Sequence, residues 1–277
     1  MTLTPERIAD TVAKLYIKSN RELPPDIVAA LQAARDREIV PNAKFALEVM
    51  LENLKIANPL PICQDTGLAV VFVEWGGSVT LGCGTLQQAV DLGVARACKN
   101  GFLRPSIVRD PLRRVNTGDN TPAVLHTEIV AGDSVKITVL PKGFGSENMT
   151  RLKMFTPAAG REDILDFITE TVQVAGANPC PPTVIGVGLG GTADSAVSDA
   201  KRALLLDVNE YSDDEFYAGM EREALQRVND LKIGAQGFGG GATALGVRIV
   251  PRPTHIAGLP CAVALGCWVT RRAEEVI

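Results

Sequence analysis

The sequence predicts an α/β protein with mixed β-sheets flanked by helices and a helical segment at the N-terminus. Apolar residues recur at helical spacing through most of residues 1–57. From residue 58 onward, short apolar runs alternate with helical segments, and no internal repeat or low-complexity tract interrupts them. The alternation by itself leaves open whether a sheet is parallel or mixed. We expect a single domain over residues 1–277, made of the helical segment 1–57 and a core at 58–277.

The predicted elements follow in chain order. Apolar residues at helical spacing predict helices at residues 5–19, 24–37, 42–56, 85–99, 161–175, 193–206 and 213–231. Proline near the start of the first two suits the first turn of a helix. Apolar, β-branched runs predict strands at residues 68–75, 183–187, 243–250 and 261–265. Residues 126–130 and 134–140 are typical of a β-hairpin around Ala131-Gly132-Asp133.

Composition narrows the function classes. With 277 residues, 46% of them hydrophobic and 22% charged, the chain can bury a large core as ordinary globular proteins do. A net charge of −4 gives no reason to expect nucleic acid or an acidic membrane as a partner. Residues 1–20 lack the apolar stretch of a signal peptide, and the most apolar window, residues 255–269, is too short to span a bilayer. Six cysteines without a secretory signal indicate reduced thiols, so we expect a cytoplasmic protein.

Three of the cysteines stand beside turn-forming residues. Cys63 begins the stretch Cys-Gln-Asp-Thr-Gly, Cys180 lies between two prolines, and Cys267 follows a glycine. Three thiolates brought together by folding have the soft sulfur atoms that an iron–sulfur cluster requires. Because a 4Fe–4S cluster normally takes four cysteines, a set of three would leave one iron with an open coordination position.

The other three cysteines suit a different interpretation. Cys98 falls in a helical stretch and Cys261 in an apolar strand-like run, where free cysteine acts as a small buried hydrophobe. Cys83 follows a glycine at a predicted helix entry. No Cys-x-x-Cys pair occurs, so neither a zinc ribbon nor a thioredoxin-type motif is supported.

Glycine-rich turns stand at residues 142–148, 186–192 and 237–241. Backbone N–H groups at such turns, where a strand ends and a helix begins, bind anions. The stretch 186–192 has the spacing Gly-x-Gly-x-Gly-Gly, which does not fit a dinucleotide fingerprint, and no Lys-Ser/Thr pair completes a P-loop. The turns are either structural or favour a small carboxylate ligand over a nucleotide.

Several polar residues are candidates for substrate contact. Arg104 can hold a carboxylate through two parallel hydrogen bonds. The stretch 116–122, Asn-Thr-Gly-Asp-Asn-Thr-Pro, is typical of a turn that satisfies its own backbone. His255 lies in an apolar segment, where histidine is more often structural, but its titration range keeps it a candidate for proton transfer. His126, at the start of a predicted strand, is interpreted as structural.

Five of these motifs together resemble the class I, iron–sulfur-dependent fumarate hydratases. They stand in the family's order at residues 63–67, 116–122, 142–148, 180–182 and 255–260. The related L-tartrate dehydratase α subunits share the cysteine motifs and the Asn-Thr-Gly turn. The Gly-Ser-Glu-Asn turn and the His-Ile-Ala-Gly-Leu-Pro stretch look more like fumarate hydratase. Phe144 stands where many members of the family have a further glycine.

The resemblance implies a cofactor, a reaction and a site. It implies that Cys63, Cys180 and Cys267 bind a 4Fe–4S cluster whose open iron acts as a Lewis acid in the reversible hydration of fumarate to (S)-malate. The residues matching the family's site positions are Gln64, Asp65, Arg104, Gly143 or Gly145, and His255. By the same resemblance, Asp65 exchanges a proton with the substrate hydroxyl and Arg104 holds the far carboxylate. His255 would orient or protonate Asp65, reaching the site from a neighbouring copy.

The resemblance also implies a partner chain. One-piece members of the family continue into a second domain that supplies further arginines, a lysine and a threonine base, whereas this sequence ends ten residues beyond Cys267. We therefore expect the α subunit of the two-subunit form, working with a β subunit in an α2β2-type assembly.

Alternatives from other classes remain open. The chain can be the α subunit of an L-tartrate or other dicarboxylate dehydratase. It can also be an iron–sulfur module that senses oxygen or iron without turnover, or a small-anion-binding protein with merely buried cysteines.

Overall fold

A computed structural model of the chain describes residues 1–57 and 59–277. The helices in these residues are α1 (Pro5–Arg21), α2 (Pro25–Arg37), α3 (Pro41–Ile56), α4 (Leu86–Asn100), α5 (Phe144–Glu147), α6 (Arg161–Ala175), α7 (Ala193–Ala203) and α8 (Glu215–Asp230), with a 3₁₀ turn at Ala235–Gly237. The strands are β1 (Thr2–Leu3), β2 (Leu68–Gly76), β3 (Thr80–Leu81), β4 (Val124–Val130), β5 (Val135–Lys142), β6 (Arg151–Phe155), β7 (Thr183–Gly190), β8 (Ala244–Arg252), β9 (Leu259–Gly266) and β10 (Ala273–Val276). None of the helices in the described residues is long and apolar enough to cross a membrane.

The chain forms two compact units, each built from separate stretches of sequence. The first unit comprises Met1–Pro24, Leu54–Phe144 and Arg271–Ile277, and the second comprises Pro25–Asn53 and Gly145–Thr270. The single catalytic domain predicted over residues 1–277 stays a prediction.

The main sheet of the first unit has the strand order β10-β5-β2-β4. Strand β5 runs antiparallel to β10 and β2, whereas β4 runs parallel to β2. Helix α1 packs against β5 and against α4. The two helices approach closely at Gly93, where a Cβ would lie 2.6 Å from the carbonyl oxygen of Ala9. Strand β2 is buried for most of its length, and Ala69, Val71 and Val73 belong to an apolar core shared with α1, α4 and β5.

The β-hairpin predicted at residues 126–130 and 134–140 is wrong. Both strands form, as β4 and β5, but β2 lies between them and pairs with each. The predicted turn residues do connect β4 to β5, but these two strands do not pair with each other. The carbonyl oxygen of Gly132 accepts a hydrogen bond from the N–H of Ser78. Strands β2 and β5 are mostly buried and β4 is not, which suits an order in which β2 lies inside the sheet and β4 forms its edge.

The sheet of the second unit has the order β6-β9-β7-β8. Strand β9 runs antiparallel to β6 and β7, and β8 runs parallel to β7. Both four-stranded sheets are therefore mixed, which confirms the predicted α/β class with mixed sheets. Helix α8 packs against β8 and against α6 around an apolar core.

The glycine-rich stretch at 186–192 is mostly strand and not a turn. Strand β7 continues to Gly190, and α7 packs directly on it. A Cβ at Gly186 or Gly188 would overlap the carbonyl oxygens of Ala200 and Ala196 in α7. These glycines therefore serve close helix–strand packing, and the turn into α7 begins only at Gly190.

Candidate functional site

The loop that carries Cys63, Gln64 and Asp65 lies in the first unit between α3 and β2. It ends at Gly67, whose φ of +77° favours glycine. A Cβ at Gly67 would also lie 2.8 Å from the carbonyl carbon of Lys142, so glycine lets the loop pass close to the end of β5. The Cys63 thiol is half-buried, with its sulfur 3.5 Å from Oε1 of Gln64, and Gln64 is exposed.

The Asp65 carboxylate is fixed by two backbone donors. The N–H of Gly67 donates to Oδ1 at 3.0 Å, and the N–H of Phe144 donates to Oδ2 at 3.1 Å. Gly143 allows the second contact, because a Cβ there would stand 3.3 Å from Oδ2. Phe144, at the position for which the resemblance led us to expect a further glycine, thus contacts Asp65 through its backbone N–H. With its side chain 26% exposed, Asp65 is anchored but reachable.

Arg104 lies next to this carboxylate. Its Nη2 is 3.6 Å from Oδ1 of Asp65, and its side chain is 58% exposed. Ion pairs this exposed contribute little to stability, so the guanidinium can exchange Asp65 for another carboxylate at small cost. The first unit thus brings together Asp65, Arg104 and Gly143 of the predicted site.

Asn120 holds Arg104 in place, and the sequence analysis did not single it out. Asn120 is fully buried with a φ of +62°. Its Nδ2 donates to the carbonyl oxygen of Arg104 at 3.0 Å, and its Oδ1 accepts from the N–H of Ser106 at 2.5 Å. The signals for it in the sequence were its place in the motif at residues 116–122 and the tolerance of Asn for positive φ in a turn.

The remainder of the stretch 116–122 satisfies its own backbone, as predicted. Asn116 accepts a hydrogen bond from Gly118 N–H, and Asp119 accepts bonds from the N–H and hydroxyl of Thr121. These side chains shape the turn that presents Arg104.

Cys180 and Cys267 lie in neighbouring segments of the second unit. Cys267 follows directly after β9, and the N–H of the next residue, Trp268, donates to the carbonyl oxygen of Cys180 at 3.2 Å. The hydroxyl of Thr270 donates to the Cys267 carbonyl oxygen at 2.7 Å. Cys180 is exposed and Cys267 is half-buried. Two of the three predicted ligand residues are therefore joined through the backbone of one unit.

The interpretation of Cys98 and Cys261 as buried hydrophobes is confirmed. Cys98 is 6% exposed and Cys261 is fully buried. Burial raises the pKa of the Cys261 thiol to about 12 and also raises the pKa of Cys98, so both stay protonated. Cys83 is exposed just before Thr85, the N-cap of α4, as predicted for a helix entry.

His255 and Gly145 belong to the second unit. His255 is exposed in the turn between β8 and β9, where its Nδ1 accepts a hydrogen bond from the Ala257 N–H at 3.1 Å. Gly145 lies in the short helix α5, and a Cβ there would stand 3.4 Å from the carbonyl oxygen of Asn178. Their predicted roles beside Asp65 stay predictions.

The thiols provide the donor chemistry of an iron–sulfur cluster. Cys63, Cys180 and Cys267 form no disulfide, and cysteine sulfur is the soft ligand that such clusters take. Cys63 lies in the first unit and the other two lie in the second. Within residues 1–57 and 59–277, no three His, Cys, Asp or Glu side chains form a group that could hold a metal ion. The donor atoms fit a cluster, and their assembly around it stays a prediction.

An anchored carboxylate beside an exposed guanidinium suits an enzyme that moves protons on an anionic substrate. The sequence matches the fumarate hydratase (Fumerase) family over residues 9–276. A protein of Methanocaldococcus jannaschii named putative L(+)-tartrate dehydratase subunit alpha is 39% identical over 279 residues, which covers 98% of each chain. The L(+)-tartrate dehydratase subunits alpha of Escherichia coli O157:H7 and K12 are 30% identical over 277 residues, covering 98% of this chain and 91% of theirs. The chain belongs to the fumarate hydratase family, whose members are hydro-lyases.

Proposed function

We propose that this chain is the α subunit of a hydro-lyase that reversibly hydrates fumarate to (S)-malate. The observation that carries the proposal is the Asp65 carboxylate, held by two backbone N–H groups and 3.6 Å from the guanidinium of Arg104. Family membership supports the reaction class, and the relatives' names, each an alpha subunit, support the subunit assignment.

In this proposal the residues of the first unit bind the substrate and handle a proton. Arg104 holds the carboxylate far from the reacting carbons through a bidentate pair of hydrogen bonds. Hydration adds a hydroxyl group to one alkene carbon and a proton to the other, and Asp65 exchanges a proton with that hydroxyl. Gln64 and the backbone at Gly143 or Gly145 contact the substrate, and His255 orients or protonates Asp65 from a neighbouring copy.

The proposed cofactor is a 4Fe–4S cluster with Cys63, Cys180 and Cys267 as its ligands. When bound, it supplies a Lewis acid at the iron that lacks a thiolate ligand. Cysteines outside disulfides suit a cytoplasmic setting, which we also propose.

The proposed partner is a β subunit that carries the second catalytic domain, in an α2β2-type assembly. Charge stabilisation of a dicarboxylate needs cations at both ends of the molecule. Arg104 supplies one, and we assign the others and the general base to the β subunit.

Dehydration of L-tartrate is the second candidate, because the 39% identical relative carries that activity in its name. Fumarate and L-tartrate are both four-carbon dicarboxylates, and they differ in the hydroxyl groups that the site must accept. The contacts of Arg104 and Asp65 serve either substrate.

Anaerobic co-production with candidate β chains, followed by a substrate panel, tests the proposal. The conversion rates of fumarate, (S)-malate, mesaconate and L-tartrate are compared, with Asp65→Asn, whose kcat should be lowered, as the control. We expect turnover of fumarate only when the β chain is present.

Turnover of L-tartrate alone would favour the second candidate, and full activity without a β chain would refute the subunit assignment. A cluster-loaded complex without turnover would indicate a sensor, and a colourless, iron-free preparation would indicate an anion-binding protein.

A further inference from the structure

Beneath the Asp65 loop lies a buried cation, Arg271. Its side chain is 2% exposed, and its Nη2 donates to the carbonyl oxygen of Asp65 at 2.5 Å. Its Nε and Nη1 are buried without a hydrogen-bond partner in the part of the chain that the structure describes. A buried guanidinium without a carboxylate partner is costly, because it loses its hydration without an equal charge in return. Stability of the fold therefore does not explain why a guanidinium is buried at this position.

Tyr16 supports the same loop two residues further on. Its hydroxyl donates to the carbonyl oxygen of Gly67 at 2.8 Å, and the ring is fully buried. Burial raises the pKa of Tyr16, against the opposing charge of Arg271, so the hydroxyl keeps the proton that it donates. The carbonyl oxygens of Asp65 and Gly67, on either side of Thr66, are thus held from the interior of the first unit.

These two contacts bear on the Asp65 carboxylate. Gly67 N–H, one of its two donors, belongs to the tripeptide that Arg271 and Tyr16 hold. This N–H lies in the Thr66–Gly67 peptide, between the two peptide units whose carbonyl oxygens Arg271 and Tyr16 hold, so release of either flanking unit would let it shift from Oδ1 and weaken the bond. We propose that Arg271 and Tyr16 are positioning residues, which hold Asp65 in the orientation in which it exchanges a proton with the substrate. This inference rests on the proposed function of Asp65.

Arg271→Lys and Tyr16→Phe test the inference. Lysine keeps the charge of Arg271 but not its planar fork, and phenylalanine keeps the ring of Tyr16 without its hydroxyl. Arg248→Lys is the matched control, because Arg248 is also buried and donates to a carbonyl oxygen, that of Asp207, at 2.5 Å. Arg248 belongs to the second unit, whereas the Asp65 loop belongs to the first.

Amide hydrogen exchange of the complex with its β chain provides the first measurement, because it needs no turnover. We expect the Gly67 and Phe144 amides to exchange about tenfold faster in Arg271→Lys and Tyr16→Phe, with no change at either amide in Arg248→Lys. Unchanged exchange in both loop variants would overturn the inference. If Arg271→Lys does not fold, Tyr16→Phe reports on the same tripeptide.

Kinetics provide the second measurement. A positioning role predicts that kcat falls about tenfold while KM stays within about twofold of wild type. It also predicts no further loss when Arg271→Lys is added to Asp65→Asn, because the two residues act through one group. An equal loss in both backgrounds would refute positioning through Asp65. A wild-type complex that turns over no dicarboxylate would refute the proposed function, whereas the exchange measurement would still decide whether Arg271 holds the loop.

Discussion

At the scale of single residues, a variant of Arg104 can test substrate binding without disturbing the fold. Its side chain is 58% exposed, so removing it leaves no cavity. Arg104→Ala should lower kcat/KM roughly tenfold to a hundredfold, since a hydrogen bond to a charged group typically contributes about 1.5–3 kcal/mol. Steady-state kinetics of the complex with its β chain measures the loss.

Two further variants make this prediction specific. Arg104→Lys should recover only part of the activity, because an ammonium group lacks the planar fork of a guanidinium. Arg113→Ala removes another exposed arginine of the first unit and should leave kcat/KM unchanged. An Arg104→Ala enzyme with wild-type kcat/KM would show that the guanidinium does not bind substrate.

The cysteines allow a second prediction at this scale. Replacing Cys63, Cys180 or Cys267 by Ser should abolish the anaerobic iron–sulfur absorbance, because each would supply one of three ligands. Cys83→Ser is the control, since Cys83 is exposed and carries no packing cost. A variant of Cys98 that loses the absorbance, together with a Cys180→Ser variant that keeps it, would show that the ligand assignment is wrong.

At the scale of elements, two helix glycines should respond in opposite ways to alanine. A Cβ at Gly93 in α4 would lie 2.6 Å from the Ala9 oxygen and 2.7 Å from the Val12 Cβ in α1. Gly93→Ala should therefore destabilise the protein by about 1–3 kcal/mol through overpacking. Gly219 in α8 has open space around its Cβ position, so Gly219→Ala should stabilise by about 0.5–1 kcal/mol. Denaturant unfolding measures both, and equal effects would contradict the packing of α1 on α4.

Local sequence patterns predicted where helices and strands lie better than they predicted which elements pack or pair with one another. The amphipathic spacing at residues 161–175 gives the bounds of α6 as observed, because one helix face determines that signal. The hairpin prediction failed because short-range pattern does not reveal that β2, more than 40 residues earlier, takes the place between β4 and β5. The glycines of β7 were predicted to form a turn because the local sequence does not show that α7, which follows the strand, packs against it. That close packing leaves no space for a Cβ at Gly186 or Gly188.

In the site, too, some residues could be predicted from the sequence and the residues that support them could not. Asp65 and Arg104 were predicted from motif resemblance, and the structure places their side chains 3.6 Å apart. Asn120, Tyr16 and Arg271 were not predicted as part of it. All three donate to backbone carbonyl oxygens, which any residue supplies, so the sequence around those oxygens does not reveal the contact. Asn120 lies in the motif at residues 116–122, but its contact with Arg104 could not be inferred from that motif.

At the scale of the whole molecule, oxygen should control activity. A cluster held by three thiolates leaves one iron without a protein thiolate, and that iron should be lost on oxidation. Activity of the complex with its β chain should therefore fall in air and return after anaerobic treatment with ferrous iron and a reductant. Activity that is indifferent to both treatments would point to a metal-free mechanism.

The contact between Arg271 and Asp65 also has a consequence for the order of events during protein synthesis. The two residues are separated by 206 positions, and the Gly145–Thr270 stretch of the second unit lies between them in sequence. The ribosome delivers the Asp65 loop, with Cys63, long before Arg271 exists to hold it. Because each folded region forms only after its last strand has emerged, the first unit waits for β10 and the second does not. Translation therefore leaves the Cys63 loop without its buried support until late in synthesis.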